Sequence, residues 1–263
     1  MNTLEVQFLK KHPSYAFNAI SGFYPLNGEL LRKYRDVLFW DDVCENEEIE
    51  WSTGLVQTFL KYLKDKKGKL NSILHYNNKL PWSVEFIRHF ETLWYWDILG
   101  EKSEIQNSLL IQRTFEKHLE PVNAWIASLK RPIANSVTVN GFLENNHSPE
   151  INALSLGEIE MQKNSIDWIT FSVDERTCNW DFQFLNAFEG FIDFSQLCGN
   201  RKAWVNCFGK LTVEEIDSIL GDREVQEQVV YSIPQIAMSD IDKSHYEIPK
   251  CLTFDYFLVT NKK

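Results

Sequence analysis

Six carboxylates fall within ten residues of this chain, Asp41, Asp42, Glu45, Glu47, Glu48 and Glu50, the densest group of side chains with a capacity for chemistry anywhere in it. Carboxylates at this density suit three tasks: solvating a face, docking a basic partner, or holding a hard cation. A calcium loop of the EF-hand kind needs a set alternation of oxygen ligands around a central glycine, and this run has neither. The favoured reading of the run is a solvated acidic face; a docking surface for a basic partner comes second and makes these six residues the candidate partner-binding site, and a cation site is the third. The charge balance points the same way. Lys plus Arg number 27 against 37 Asp plus Glu, a net charge of −10. Such a field repels nucleic acid phosphates and acidic membrane surfaces, so the expected partner is a basic protein, with no nucleic acid and no membrane.

Other chemistries are poorly served. Gly209-Lys210-Leu211 lacks the upstream glycine and the Ser or Thr of a phosphate-binding loop, and there is no dinucleotide fingerprint, nucleophile elbow or Ser-x-x-Lys pair. Nothing in the sequence places a cysteine beside His75, His89, His118 or His245 for thiolate catalysis. Glu85 and His89 are four apart on a predicted helix and could share a metal, but no second histidine joins that face. Catalytic residues, metal ligands and cofactors are accordingly expected to be none. An enzyme remains the alternative reading, with a site drawn from His147, Glu158, Glu160, Asp240, Asp242 and His245, and a structural subunit of a larger assembly is another.

Five cysteines, at 44, 178, 198, 207 and 251, are odd in number and form no C-x-x-C pair, which argues against a disulfide framework or a zinc ribbon. The first seventeen residues interleave Glu5, Lys10, Lys11 and His12 with apolar ones, unlike a signal peptide. No apolar run approaches the roughly 18 residues of a membrane span. These features lead us to expect a cytoplasmic protein.

The elements that must position these groups are written as a repeat. From anchors at Phe17, Trp40, Asn71 and Trp96, position +3 is Ile20, Val43, Leu74 and Leu99, and position +9 is Leu26, Ile49, Leu80 and Ile105. Position +12 gives Ser52, Ser83 and Ser108, and position +19 gives Phe59, Phe90 and Phe115. The first copy realigns at Asn27, Leu30, Leu31 and Tyr34 when two residues are deleted. A fifth copy opens at Trp168 and reaches Trp180-Asp181, and a sixth opens at Phe194. In the third copy Ser83 precedes Phe86, Ile87, Phe90, Leu93 and Trp94, spaced as a buried helical stripe, so Ser83 is the expected N-cap. Ser52 and Asp181 take the same part in their copies, and Thr212-x-x-Glu215 is a capping box. Trp51 and Trp82, just before their caps, read as staples. Cys44 and Cys198 share a slot with Ser21 and Ser172, which predicts a small side chain at a helix end. Lys61, Lys64, Lys66, Lys67 and Lys69 surround Gly68 and read as a mobile, exposed turn.

Two stretches break the pattern. Residues 132–164 contain Asn140-Gly141 and the partly alternating Ala153 to Met161, which suggest strands, and residues 225–259 hold Val229, Val230, Tyr231 and a second β-rich run at Leu252 to Val259.

With these residues set out, the chain resembles uncharacterised bacterial and large-virus proteins built of short Trp-rich helical repeats, W-x-x-L-S-x-N followed by I-x-W-S. The likeness is carried by Trp40 to Asn46, by Leu74 to Asn77 with Leu80 to Ser83, and by Trp168 to Asp181. Asn107, Gly28 and Asn71 depart from the pattern in the fourth, first and third copies. The resemblance implies a helical repeat architecture and brings no activity with it. The expected fold is mainly α, a short α-solenoid of helix-pair repeats with a small β-containing insertion and a β-rich C-terminal segment. Its expected organisation is helical repeats over 1–131, the β-like insertion over 132–164, further helical repeats over 165–221 and the extended segment over 222–263. The expected function is non-catalytic protein binding, with neutralisation of a basic bacterial toxin, as by an immunity protein, as its sharper form.

Overall fold

The computed structural model describes residues 3–129 and 154–232. In chain order its helices are α1 (Leu4–Lys11), α2 (Pro13–Phe23), α3 (Gly28–Tyr34), α4 (Trp40–Glu45), α5 (Thr53–Thr58), α6 (Val84–His89), α7 (Trp96–Leu99), α8 (Ser103–Gln106), α9 (Leu109–Thr114) and α10 (Glu116–Leu129). They continue with α11 (Leu156–Gln162), α12 (Trp168–Val173), α13 (Phe182–Ala187), α14 (Phe194–Leu197), α15 (Arg201–Phe208), α16 (Val213–Leu220) and α17 (Arg223–Ser232), and Ser72–Tyr76 forms a 3-10 helix. Among the described residues no helix is long and apolar enough to cross a membrane. Two compact units result: a first from the described parts of Met1–Tyr24, Glu29–Phe39 and Glu150–Lys263, and a second from Pro25–Gly28 and the described part of Trp40–Pro149.

Most helices are too short to be stable alone, so end-capping and packing must hold them. Ser52 accepts a hydrogen bond from Leu55 N–H at 3.1 Å, Ser83 from Phe86 N–H at 3.2 Å and Ser108 from Ile111 N–H at 3.4 Å. Asp181 does the same for Phe184 N–H at 2.8 Å, and the Thr212–Glu215 capping box closes in both directions. The apolar slots all point inward. Leu26, Ile49, Leu80 and Ile105 are buried, as are Ile20, Val43, Leu74 and Leu99, and Phe59, Phe90 and Phe115.

In the second unit the 3-10 helix packs on α4 and α7, and α9 on α6, α8 and α10. Asn77 joins successive copies: its Nδ2 donates to the carbonyls of Cys44 at 2.8 Å and Asn46 at 3.1 Å, while its Oδ1 accepts Lys79 N–H at 2.8 Å. His75 joins the next pair, its Nδ1 lying 3.0 Å from Asn71 O and its Nε2 accepting Tyr95 N–H at 3.0 Å. The anchor indoles are covered in turn: Trp40 stacks on Tyr62 at 4.8 Å and Trp96 on His118 at 4.3 Å between centroids. The lysine-rich turn is held by Asp65, whose Oδ1 accepts Lys67 N–H at 2.8 Å and Lys69 N–H at 3.0 Å while its Oδ2 accepts the Tyr95 hydroxyl. Gly68 sits in that turn at φ 74°, where a Cβ would be strained. The turn is exposed at Lys61, Lys66 and Lys67, as expected, and is tied through Asp65.

In the first unit α2 is the hub, packed against α1, α14, α15, α16 and α17 through Tyr15, Ala16, Phe17, Ala19 and Ile20. The joins use hydroxyls. Ser172 Oγ donates to Trp168 O at 2.6 Å and accepts Asp193 N–H at 3.0 Å; Ser21 Oγ donates to Phe17 O at 2.7 Å and accepts Phe39 N–H at 3.1 Å. Asn200 Nδ2 donates to Ser172 O at 3.0 Å, and its Oδ1 accepts Ala203 N–H at 2.9 Å.

The expected β elements are corrected by the structure, which has no strand among the described residues and shows isolated bridges only, Lys64 with Leu70 and Leu154 with Cys178. Where the β-like insertion was expected, Leu156–Gln162 is helical because Ser155 and Glu158 close a capping box that the alternating pattern concealed. Where the extended C-terminal segment was expected to begin, Arg223–Ser232 is helical: Asp222 Oδ1 accepts Glu224 N–H at 3.1 Å and Val225 N–H at 3.4 Å. Val225 and Val229, four apart and both buried, form one face of that helix, and packing on α2 overrides the β preference of the Val pair. The remaining β expectations, at Ser136 to Phe142 and Leu252 to Val259, lie outside the described residues.

Candidate functional site

The acidic run occupies α4 and the turn that follows it. Val43 and Cys44 face inward, Asn46 Oδ1 ties the turn by accepting Glu48 N–H at 2.8 Å, and Ile49 plugs it into the core, which leaves four of the six carboxylates on the outer side. Asp41, Glu45, Glu48 and Glu50 are exposed; Asp42 and Glu47 are partly covered. Two of them brace the neighbouring copy. Asp41 accepts a hydrogen bond from Asn71 Nδ2 at 2.5 Å, and Glu47 accepts one from Asn78 Nδ2 at 3.1 Å. Asn78 in turn accepts from Lys102 Nζ at 2.7 Å, and that ammonium lies 5.2 Å over the Trp82 ring. Among the described residues no Lys or Arg forms an ion pair with Asp41, Asp42, Glu45, Glu47 or Glu50.

Crowding these acids together changes their protonation. Burial, then the charges of Glu45 and Asp41, pushes the Asp42 carboxyl up to about 8. Burial, then Asp41, pushes Glu45 up to about 7. Glu45 keeps an exposed side chain that water screens, so Asp42 is the group we weigh more heavily as protonated near neutrality. The run then carries less than its formal charge at pH 7 and gains charge as pH rises through about 8.

Of the residues considered for an enzyme the structure describes two, Glu158 and Glu160, and each is engaged locally. Glu158 is taken up by Ser155, whose N–H and hydroxyl it accepts at 2.8 and 2.6 Å, and Glu160 pairs with Lys163 at 2.5 Å. His147, Asp240, Asp242 and His245 lie outside the described residues. His89 bonds to Gln57 at 3.2 Å across the copies, which accounts for it without a metal shared with Glu85. Among the described residues no three His, Cys, Asp or Glu side chains converge as a metal site would need. Cys44, Cys178 and Cys207 are buried free thiols, and burial pushes Cys178 and Cys207 up to about 12, far from a reactive thiolate.

An open cleft of about 620 Å³ in the first unit is bordered by Lys33, Tyr34, Asp217, Gly221 and Asp222. Its charges are matched internally, Lys33 with Asp217 at 2.5 Å and Lys10 with Asp222 at 2.8 Å. Sequence reasoning weighed His75 only as a partner for a thiolate and missed its bridging role between Asn71 and Tyr95. The signal was present: His75 falls in the slot of Ser21 and Ser172, and a neutral imidazole, like a hydroxyl, can donate once and accept once. Comparison of the chain with protein-family models, with curated proteins and with solved structures finds no match.

Proposed function

We propose that the protein is a non-catalytic binding protein of helical-repeat type that docks a basic protein partner on the surface formed by Asp41, Asp42, Glu45, Glu47, Glu48 and Glu50. The observation that carries this reading is an outward-facing acidic run in which Asp41, Asp42, Glu45, Glu47 and Glu50 lack an ion-pair partner among the described residues, within a chain of net charge −10. Such a surface accelerates encounter with a cationic face and rejects acidic competitors. The sharper form is an immunity protein that neutralises a basic bacterial toxin, such as a nuclease, inside the cytoplasm. Asp41 and Glu47 also hold neighbouring copies together, so the informative variant changes residues that do not: Glu45→Lys with Glu50→Lys. Against a partner recovered from the native host, this double reversal should weaken calorimetric affinity at least about tenfold in low salt, with the loss shrinking in high salt. Wild-type affinity should also rise between pH 6 and pH 8 as Asp42 and Glu45 ionise. An affinity indifferent to the double reversal sinks the proposal.

A further inference from the structure

His75 fills in its copy, in the second unit, the slot that the Ser21 and Ser172 hydroxyls fill in two copies of the first. Its side chain is 1 % exposed, with Trp94 edge-on at 5.1 Å between centroids and Tyr95 tilted at 5.9 Å. Both ring nitrogens are committed. A carbonyl can only accept, so the proton sits on Nδ1 and is donated to Asn71 O; an amide can only donate, so Nε2 must present a lone pair to Tyr95 N–H. A second proton on Nε2 would set one N–H against another at 3.0 Å. The Ser21 and Ser172 hydroxyls, which do not titrate, bridge the same two positions of their own copies.

We propose that His75 is an acid-triggered release built into the fold: protonation expels the imidazole from between Asn71 and Tyr95 and opens the junction of the 3-10 helix with α7, while the hydroxyl junctions of the first unit stay closed. This goes beyond partner docking and does not depend on it.

The charged groups around the ring oppose the effect and are outweighed. Asp97 on α7 and Asp65 in the lysine turn both favour a protonated ring, the latter while holding the Tyr95 hydroxyl; Lys67 lies over the Tyr95 ring. From α4, packed on the 3-10 helix, come Asp41, Asp42, Glu45 and the buried Cys44 thiol. Burial dominates and holds His75 down to about 4, against 6.5 for the free side chain. The unfolded or opened chain therefore binds the extra proton first. The stabilisation is full above pH 6.5, falls as pH drops towards about 4, and is constant below that. Across that window the closed state loses on the order of a hundredfold in its equilibrium with the open one.

Hydrogen exchange of the full chain at pH 7, 5.5 and 4.5, corrected for intrinsic rates, tests this. Amides of residues 72–76 and 95–99 should lose protection by about tenfold or more relative to those of 168–173 and 193–197. His75→Gln, whose amide can donate to Asn71 and accept from Tyr95 without titrating, should remove the difference. Equal acid loss in both units, or the same loss in the Gln variant, overturns the proposal. Should that variant fail to fold at pH 7, the imidazole titration of the wild type by NMR decides instead: a midpoint near 6.5 with native signals intact overturns it, and a midpoint near 4 accompanied by loss of the junction signals supports it.

Discussion

The Asn71–Tyr95 junction of the second unit and the Trp168–Asp193 junction of the first are wired alike, yet one is closed by an imidazole and the other by a hydroxyl. In each, a side chain four residues after the anchor returns a hydrogen bond to the anchor carbonyl and receives one from the residue ahead of the next anchor. An Asn six residues after its anchor, Asn77 or Asn200, reaches back to a carbonyl of the preceding copy, at the Trp168–Asp193 junction itself for Asn200 and one junction earlier than His75 for Asn77. Between these two slots the geometry is kept while the chemistry differs, a neutral imidazole and a hydroxyl each donating and accepting one bond. What differs is what the junction can sense: serine gives a join indifferent to pH, histidine one that is not.

The tryptophans ahead of the caps sharpen the contrast most. Trp180 in the first unit is fully buried and donates its indole N–H to Asp174 O at 3.3 Å; Trp82 in the second is only half-buried, with Lys102 over its face. Trp180→Ala should cost about 4 kcal/mol and Trp82→Ala about half of that, because the cost follows the buried volume removed. Equal losses in chemical denaturation would show that the slot, and not its burial, sets the energy.

Much of this architecture was readable in advance, and what was not shares one cause. Ser52, Ser83, Ser108 and Asp181 cap where their spacing placed them, because a cap bond spans only three residues and local order reveals it. The acidic run was equally plain. The junctions were hidden: His75 meets Tyr95 20 residues on, and Asn77 meets Cys44 33 residues back. Nothing in a local window marks such partners. The indole donors were hidden for a related reason, since a staple accounts for Trp51 and Trp82 without asking where the N–H goes, whereas Trp51 and Trp82 donate to the carbonyls of Asn46 at 3.4 Å and Asn77 at 3.1 Å. The β expectations failed for the opposite reason, too much trust in local alternation around Ile159 and Val229, whose neighbours in space are helices.

The reach-back asparagines offer a finer comparison. Asn77 makes three hydrogen bonds, to Cys44 O, Asn46 O and Lys79 N–H; Asn200 makes two, to Ser172 O and Ala203 N–H. Alanine at either site strands buried backbone groups at about 1 kcal/mol or more apiece, so Asn77→Ala should cost about 3 kcal/mol and Asn200→Ala about 2 kcal/mol. The reverse order in paired urea titrations would break the idea that these two residues hold their junctions in the same way.

The smallest effect concerns a place, among the described residues, where the units differ in how they satisfy buried polar groups. The buried polar side chains that join copies, His75 and Asn77 in one unit and Ser172 and Asn200 in the other, are all bonded, whereas Tyr15 on α2 is 2 % exposed and its hydroxyl has no partner among the described residues. The Tyr15 ring lies against Phe194 and Phe208 at 5.7 and 6.1 Å, so its apolar body is well placed and only the oxygen is stranded. Burial pushes its ionisation well above the usual tyrosine range, which keeps the phenol neutral and leaves a desolvated donor with nothing to donate to. Tyr15→Phe removes that oxygen and keeps the ring contacts. It should leave stability unchanged or raise it by up to about 1 kcal/mol, measured as a shift in the thermal midpoint. A loss of more than about 1 kcal/mol would mean that the hydroxyl is bonded in solution, through a bound water, and that the first unit satisfies its interior as completely as the second.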